Sequence, residues 1–289
     1  MRHSLDRVLT IAGFTVRETV HGRGFLGAGL ASLAVLGLAA VVGAVFWVNR
    51  GPLAGRPGIG ETLAREIVAR IELGIALGGL SLVAVLLAVV LGADALAGEI
   101  SRGTILALAA RPVARAEIVL GKVLGLFLPA AVVLTVMGTA SAVGTGVLTG
   151  VWIGDAVPAL ALLDLELAVM VVAAVAVSSR LSRTAGTVVL LIAYFGVTNL
   201  SQLFALGQAL HSDWLQQAAI WGRLLLPVGE VSDLAGRLLA GPLTALAEGL
   251  VRGVTDGLEP RPWIVGYAVV FLAGALALGC LGLARRDLR

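Results

Sequence analysis

The chain has 289 residues, a mean hydropathy of +1.00, 58% hydrophobic residues and only 13% charged ones. A soluble domain carries roughly 25% charged residues, so this composition argues against a soluble enzyme or a nucleic-acid binder, and the pI near 9.7 reflects a net charge of only +3. Cys280 is the only cysteine, which excludes an internal disulfide framework and any CxxC metal or redox site.

From the N-terminus, residues 4–21 have helical spacing: Leu5, Val8, Leu9, Ala12, Val16 and Val20 fall on one face, with Arg7 and Arg17 off it. Such a helix lies flat in the headgroup region; the alternative is an ordinary solvated helix. Crossing the ~30 Å hydrocarbon core takes about 20 mainly apolar residues. Six stretches qualify: 25–48, 73–96, 123–143, 157–177, 185–206 and 263–284. They are rich in Leu, Val and Ala and lack period-2 alternation, so they read as helices rather than barrel strands. The first starts too late and runs too long for a cleaved signal peptide. The expected fold is an all-α membrane protein: one transmembrane domain over 1–289, with six spans, an interfacial N-terminal helix and an outer segment, 207–262. That segment is too long for a plain connection. Its apolar clusters predict short helices broken at Pro227 and Pro242, resting on or dipping into the outer leaflet.

An even number of spans puts both termini on one side. Segments 1–24, 97–122, 178–184 and 285–289 hold 13 Lys and Arg residues, and the longer opposite segments hold 8. The positive-inside bias makes the first set cytoplasmic. Arg50, Arg56, Arg65 and Arg70, crowded in the first outer loop, run against it. All five tryptophans, at 47, 152, 214, 221 and 263, fall in or beside the outer segments, as an aromatic belt does. The expected location is the plasma (inner) membrane with N and C termini inside.

Several motifs fail on context. Gly22-Arg23-Gly24-Phe25-Leu26-Gly27 fits GxGxxG, but no strand precedes it and a membrane span follows. Gly121-Lys122 resembles the end of a phosphate-binding loop, yet Ala116 and Val123 stand where Gly and Ser/Thr are required. His3, His21 and His211 are scattered, and no Ser/His/Asp set gathers. Neither a cofactor nor a metal is expected.

The cytoplasmic stretch 97–122 predicts a helix of about three turns beginning near Glu99, whose carboxylate suits a helix N-terminus. It stops before Pro112, which then suits the first turn of a new helix continuing into the third span. Lys122, the only lysine, is placed to rest its stem in apolar surroundings with its ammonium in water. By itself this is a compact helix–turn–helix lever, or simply a connection.

The sequence Glu99-x-x-x-Gly103-Thr104, a short apolar run, Arg111-Pro112-Val113-x-Arg115, then Ile118-Val119-Leu120-Gly121-Lys122 resembles the loop of ABC-2 type transporter permeases, the membrane subunits of ATP-binding-cassette transporters. The ending Leu283-Ala284-Arg285-Arg286-Asp287-Leu288 and the stretch Phe14 to Arg23 are similar to that family's termini. Ala114 departs from the polar residue usual after Pro-Val, which removes a possible cap. The resemblance implies a non-catalytic subunit, an exporter in most cases, whose loop is a coupling helix docking on a separate ATPase. Glu99, Gly103, Thr104, Pro112, Arg115, Gly121 and Lys122 would serve that docking. ATP and magnesium would bind the ATPase, and the other partners would be a second permease copy or a similar permease, within the lipid bilayer and without nucleic acid.

Charges within spans are costly and usually face protein or water. Asp164 and Glu166 in the fourth span, with Asp94 at the inner end of the second, are candidates for a translocation path. The alternative is that the fourth span starts later and leaves both acids near the outer interface. Two residues apart, they are about 200° apart around a helix and cannot share a narrow face. A secondary transporter using Asp164 or Glu166 for ion coupling is the competing class, although no inverted repeat is visible. Gly74/Gly78 and Ala275/Gly279 are spaced for close helix packing.

Overall fold

The computed structural model describes residues 2–49, 60–101, 114–241 and 263–285, and every regular element among them is a helix. In chain order these are α1 (Arg2–His21), α2 (Arg23–Val48), α3 (Glu61–Asp94), α4 (Ala97–Ser101), α5 (Arg115–Thr149) and α6 (Ala156–Ser178). There follow α7 (Arg183–Thr198), α8 (Leu200–Ala209), α9 (Asp213–Gly222), α10 (Val228–Ala240) and α11 (Trp263–Arg285). Among the described residues, α2, α3 with α4, α5, α6 and α11 are each long and apolar enough to cross a membrane, and α7 with α8 qualifies only as a pair bent by 52°, the shape of a broken span or of a re-entrant loop. The chain is a multi-pass membrane protein.

The helices outrun the hydrophobic stretches that announce them. The second apolar stretch begins at Leu73, but α3 starts at Glu61. Its polar first turns are held by i,i+4 pairs, Glu61 with Arg65 at 2.6 Å and Glu66 with Arg70 at 2.9 Å. Such pairs stabilise a helix modestly, so two of the arginines that weakened the charge bias lie in helix beside acids. α5 ends at Gly150, which takes the left-handed conformation (φ 74°) and closes the helix with its N–H on the Gly146 carbonyl.

Successive spans alternate in direction. α2 runs antiparallel to α3, with Gly43 under Glu72 and Gly79 under Val35. One end of the bundle therefore collects α1 and α4 with the described arginines Arg7, Arg115 and Arg183. The other collects Trp47, Trp152 and Trp263, with Trp152 and Trp263 exposed. α6 is the central helix, with Leu163, Leu167, Met170 and Val171 buried against its neighbours. α2 and α11 are peripheral, and Leu30, Val41, Val270 and Leu278 point outward. In lipid that exposure carries no hydrophobic cost.

The fifth stretch is broken. α7 and α8 meet at 52° around Asn199. Thr198 Oγ1 donates to the Tyr194 carbonyl and Asn199 Nδ2 to the Phe195 carbonyl, taking acceptors that a straight helix would use for its own ladder. α9 then folds back along α8, with Gly207 against Gln216 and Gly222 against Leu200. Pro227 caps the start of α10, as its place in the sequence predicts. α10 enters the bundle instead of resting on it: Gly229 lies against the Val197 carbonyl, and Val228, Val231, Ala235 and Leu239 are buried. Its far end returns to α3, where Arg70 Nη1 donates to the Leu239 carbonyl at 3.0 Å. The expected break at Pro242 lies outside the described residues.

One expectation is corrected. Gly74 and Gly78 do not pack a helix: a Cβ added at either would meet nothing within 4 Å. Gly279 does: a Cβ added there would lie 3.4 Å from the Ala176 Cα. Asp164 and Glu166 sit well inside α6, which begins at Ala156.

Candidate functional site

At the arginine-rich end, residues 97–122 leave α3 and return as α5. The structure describes both flanks, while Gly103, Thr104 and Pro112 lie outside the described residues. α4 begins at Ala97, and Glu99 lies in its first turn. The returning helix begins at Arg115, not at Pro112, because Ala114 is extended (φ −69°, ψ 139°). Although alanine offers no capping oxygen, Glu117 Oε2 accepts the Ala114 N–H at 3.1 Å. That is half of a capping box.

Lys122 is buried, and its ammonium donates to Glu99 Oε1 at 2.5 Å, with Glu18 of α1 3.9 Å away. It therefore does not reach into water as its position suggested. Arg115 Nη1 donates to the Leu283 carbonyl in the last turn of α11, a favourable place for a guanidinium at the negative end of a helix. Arg7 of α1 pairs with Glu117 at 3.5 Å.

α1 is seated on the same base. Gly121 and Gly125 stand one turn apart on α5, where Ile11 and Thr15 of α1 press in. A Cβ at Gly121 would be 2.6 Å from Ile11 Cγ2, and one at Gly125 would overlap Thr15 and come within 2.9 Å of the Ala12 carbonyl. This is close backbone packing of the small-xxx-small kind. Ala12, Thr15 and Thr19 are buried on that face, while Leu5, Leu9 and Val20 on the adjoining face remain exposed. α1 thus shows one stripe to protein and a second, apolar one outward, as an interfacial helix requires. Asp94 belongs to this end as well, its carboxylate lying over Gly98 and 3.7 Å from Arg183. Thr15, Glu18, Asp94, Glu99 and Lys122 share one cleft.

The two acids of α6 separate as the helix geometry requires. Asp164 faces α5 and accepts from Thr135 Oγ1 at 2.8 Å. Glu166 is fully buried and accepts from Ser81 of α3 at 2.9 Å, Tyr194 of α7 at 3.3 Å and Ser232 of α10. It lies ten residues, roughly 15 Å, past the start of α6. Sequence reasoning missed these hydroxyls: Ser81 and Tyr194 are lone polar residues in apolar runs, and Ser232 stands beside Asp233 in a polar stretch. It also missed Arg223, buried with Glu230 and 3.8 Å from Asp233, which binds the α9–α10 turn to α10.

A family model described as ABC-2 family transporter protein matches residues 61–288. The chain belongs to the ABC-2 transporter family. The match begins at the first residue of α3, so α1 and α2 precede it. No curated protein matches the chain. As an ABC-2 permease it is a membrane subunit of a family whose members in general carry no catalytic centre and pair with an ABC ATPase. The ion-paired flanks of residues 102–113 fall within the matched region.

Proposed function

We propose that the chain is the permease of an ATP-driven exporter, working with a separate ATPase that binds ATP and magnesium and with a second permease, identical or similar. It sits in the plasma membrane with both termini and residues 97–122 in the cytoplasm, an orientation supported by the arginine bias and by the tryptophans at the opposite end of the bundle. ATP binding would close the ATPase subunits and push the coupling loop, switching the membrane cavity from inward- to outward-facing.

The observation that carries this reading is the Glu99–Lys122 ion pair at 2.5 Å. It joins α4 to α5, the two described flanks of residues 102–113, while Arg115 ties α5 to α11. A force on the loop is then delivered to α3, α5 and α11 together, not absorbed by loose flanks. Gly103→Trp should leave the permease in the membrane at normal amounts but weaken its copurification with the ATPase or uncouple ATP hydrolysis from transport. Full ATPase binding and full ATP-driven transport in Gly103→Trp would show that this loop is not the docking lever.

A further inference from the structure

Two spaces lie one above the other along α3 and α5. The lower is the cleft at the arginine-rich end, about 80 Å³, walled by Thr15, Glu18 and Thr19 of α1 with Asp94, Glu99 and Lys122. The upper is a shallow apolar groove between Phe25 and Gly29 of α2 and Ala130 and Leu134 of α5, with Leu80 and Leu87 of α3 between them. Leu91 and Leu126 in the cleft stand one turn from Leu87 and Ala130 in the groove. Gly24 bridges the two, since a Cβ there would lie 3.8 Å from Leu91 and 4.0 Å from Leu87. We propose that this surface holds one phospholipid with a primary-ammonium headgroup, its head in the cleft and an acyl chain along the groove. The proposal goes beyond the transport reading: it depends on how the helices lie in the bilayer and not on ATP-driven transport.

The chemistry changes along the surface in the order that such a lipid needs. The exposed apolar stripe of α1, Leu5, Leu9 and Val20, sets that helix at headgroup depth, and the cleft opens beside it. Thr19 is only 5% exposed and lines the cleft, and its hydroxyl meets no hydrogen-bond partner among the described residues. A buried hydroxyl left unpaired is costly, so the site calls for a polar ligand. The neighbouring backbone calls for an anionic one. α2 starts after Gly22, which lines the cleft and offers no capping side chain, and the first bonds of the helix run from Phe25 and Leu26 to the Gly22 carbonyl. The N–H groups of Arg23 and Gly24 have no acceptor among the described residues, at the positive end of a 26-residue helix. A phosphate accepts from all three donors.

Beyond that point the cleft carries Glu18, Asp94 and Glu99 against Lys122. Lys122 is committed to Glu99 at 2.5 Å, and Arg183 approaches Asp94 at 3.7 Å. Three acids thus meet two basic groups, and Glu18, 66% exposed and 3.9 Å from Lys122, faces an incoming ammonium. A space well under the roughly 150 Å³ that admits benzene suits a primary ammonium, with its three N–H donors, over a trimethylated one. In the other direction the groove is apolar as far as Ser32, its single polar side chain, at the end remote from the cleft. At that depth in a bilayer an acyl chain is what lies against it.

The test measures lipid binding to the full-length, delipidated permease by native mass spectrometry. Phosphatidylethanolamine, phosphatidylcholine and phosphatidylglycerol with identical acyl chains are added in turn. Phosphatidylethanolamine should bind about tenfold more tightly than either of the others, and Thr19→Val should weaken its binding about tenfold. Glu18→Gln should weaken it about threefold, as for an exposed ion pair, and narrow the preference over phosphatidylcholine by the same factor. Gly29→Leu, which fills the groove, should weaken all three lipids alike. Glu18 is exposed and a side chain at Gly29 meets nothing, so these two variants decide the matter if Thr19→Val does not reach the membrane. Equal binding of the three lipids would overturn the proposal. So would phosphatidylethanolamine binding indifferent to both Glu18→Gln and Gly29→Leu. Displacement of the lipid by an equal concentration of glycerophosphoethanolamine, the soluble head alone, would overturn it as well.

Discussion

Lys122 and Glu99, 23 residues apart in sequence, meet at 2.5 Å and close the base of a twelve-residue segment. Both side chains are largely buried, at 7% and 15% exposure. Removing one member of such a pair leaves the other charge poorly solvated, which costs about 3–5 kcal/mol in a fully buried setting. Lys122→Met and Glu99→Gln should each lower the thermal stability of the purified permease by up to about that amount. The double variant should be less destabilised than the sum of the two, and a double-mutant cycle with no coupling energy would show that the pair does not brace the loop.

The contact between α1 and α5 depends on two missing side chains. Gly125→Leu should dislodge α1, because even its Cβ would overlap Thr15. Limited proteolysis near residues 2–21 should accelerate, and stability should fall by about 1–3 kcal/mol, as for other overpacked sites. Gly29→Ala on α2 is the matched control: its Cβ meets nothing, and alanine is the better helix former by about 1 kcal/mol. Equal behaviour of the two variants would remove the seat from the argument.

Orientation is open to direct measurement. With Cys280 replaced, Ser212→Cys, at the start of α9, should react with an impermeant thiol reagent in intact cells. Ser182→Cys, the N-cap of α7, should react only after the membrane is opened. The reverse pattern would invert the topology.

The buried acid of α6 yields an order of effects. Glu166→Leu strands the hydroxyls of Ser81 and Tyr194, at about 1–3 kcal/mol for each unsatisfied group. Glu166→Gln keeps an acceptor, and its amide can donate to rotated hydroxyls, so its thermal unfolding should lie nearer the native protein's. Asp164→Asn, at a half-buried site with one hydroxyl partner, should affect stability least. If these acids serve a translocation path, Asp164→Asn or Glu166→Gln should impair transport while leaving assembly intact. Wild-type transport in both, and in the double variant, would confine them to structure.

The sequence by itself determined that this chain is a helical membrane protein and which stretches of it form its long apolar helices. Both depend on a local quantity, an apolar run long enough for the hydrocarbon core. Pro227 was readable for the same reason, since a proline following an apolar cluster suits a helix start. Only the tertiary structure decided what touches what. Gly121/Gly125 and Gly74/Gly78 share one spacing, yet the first pair seats a helix and the second seats none, because spacing fixes a face and not what lies opposite it. Asp164 and Glu166 were visible as costly charges, but Ser81, Tyr194 and Ser232 converge on Glu166 from three separate helices. The inward course of α10 was hidden likewise. Partners distant in sequence stabilise it, Arg70 meeting Leu239 and Gly229 meeting Val197, and no local composition records such a meeting.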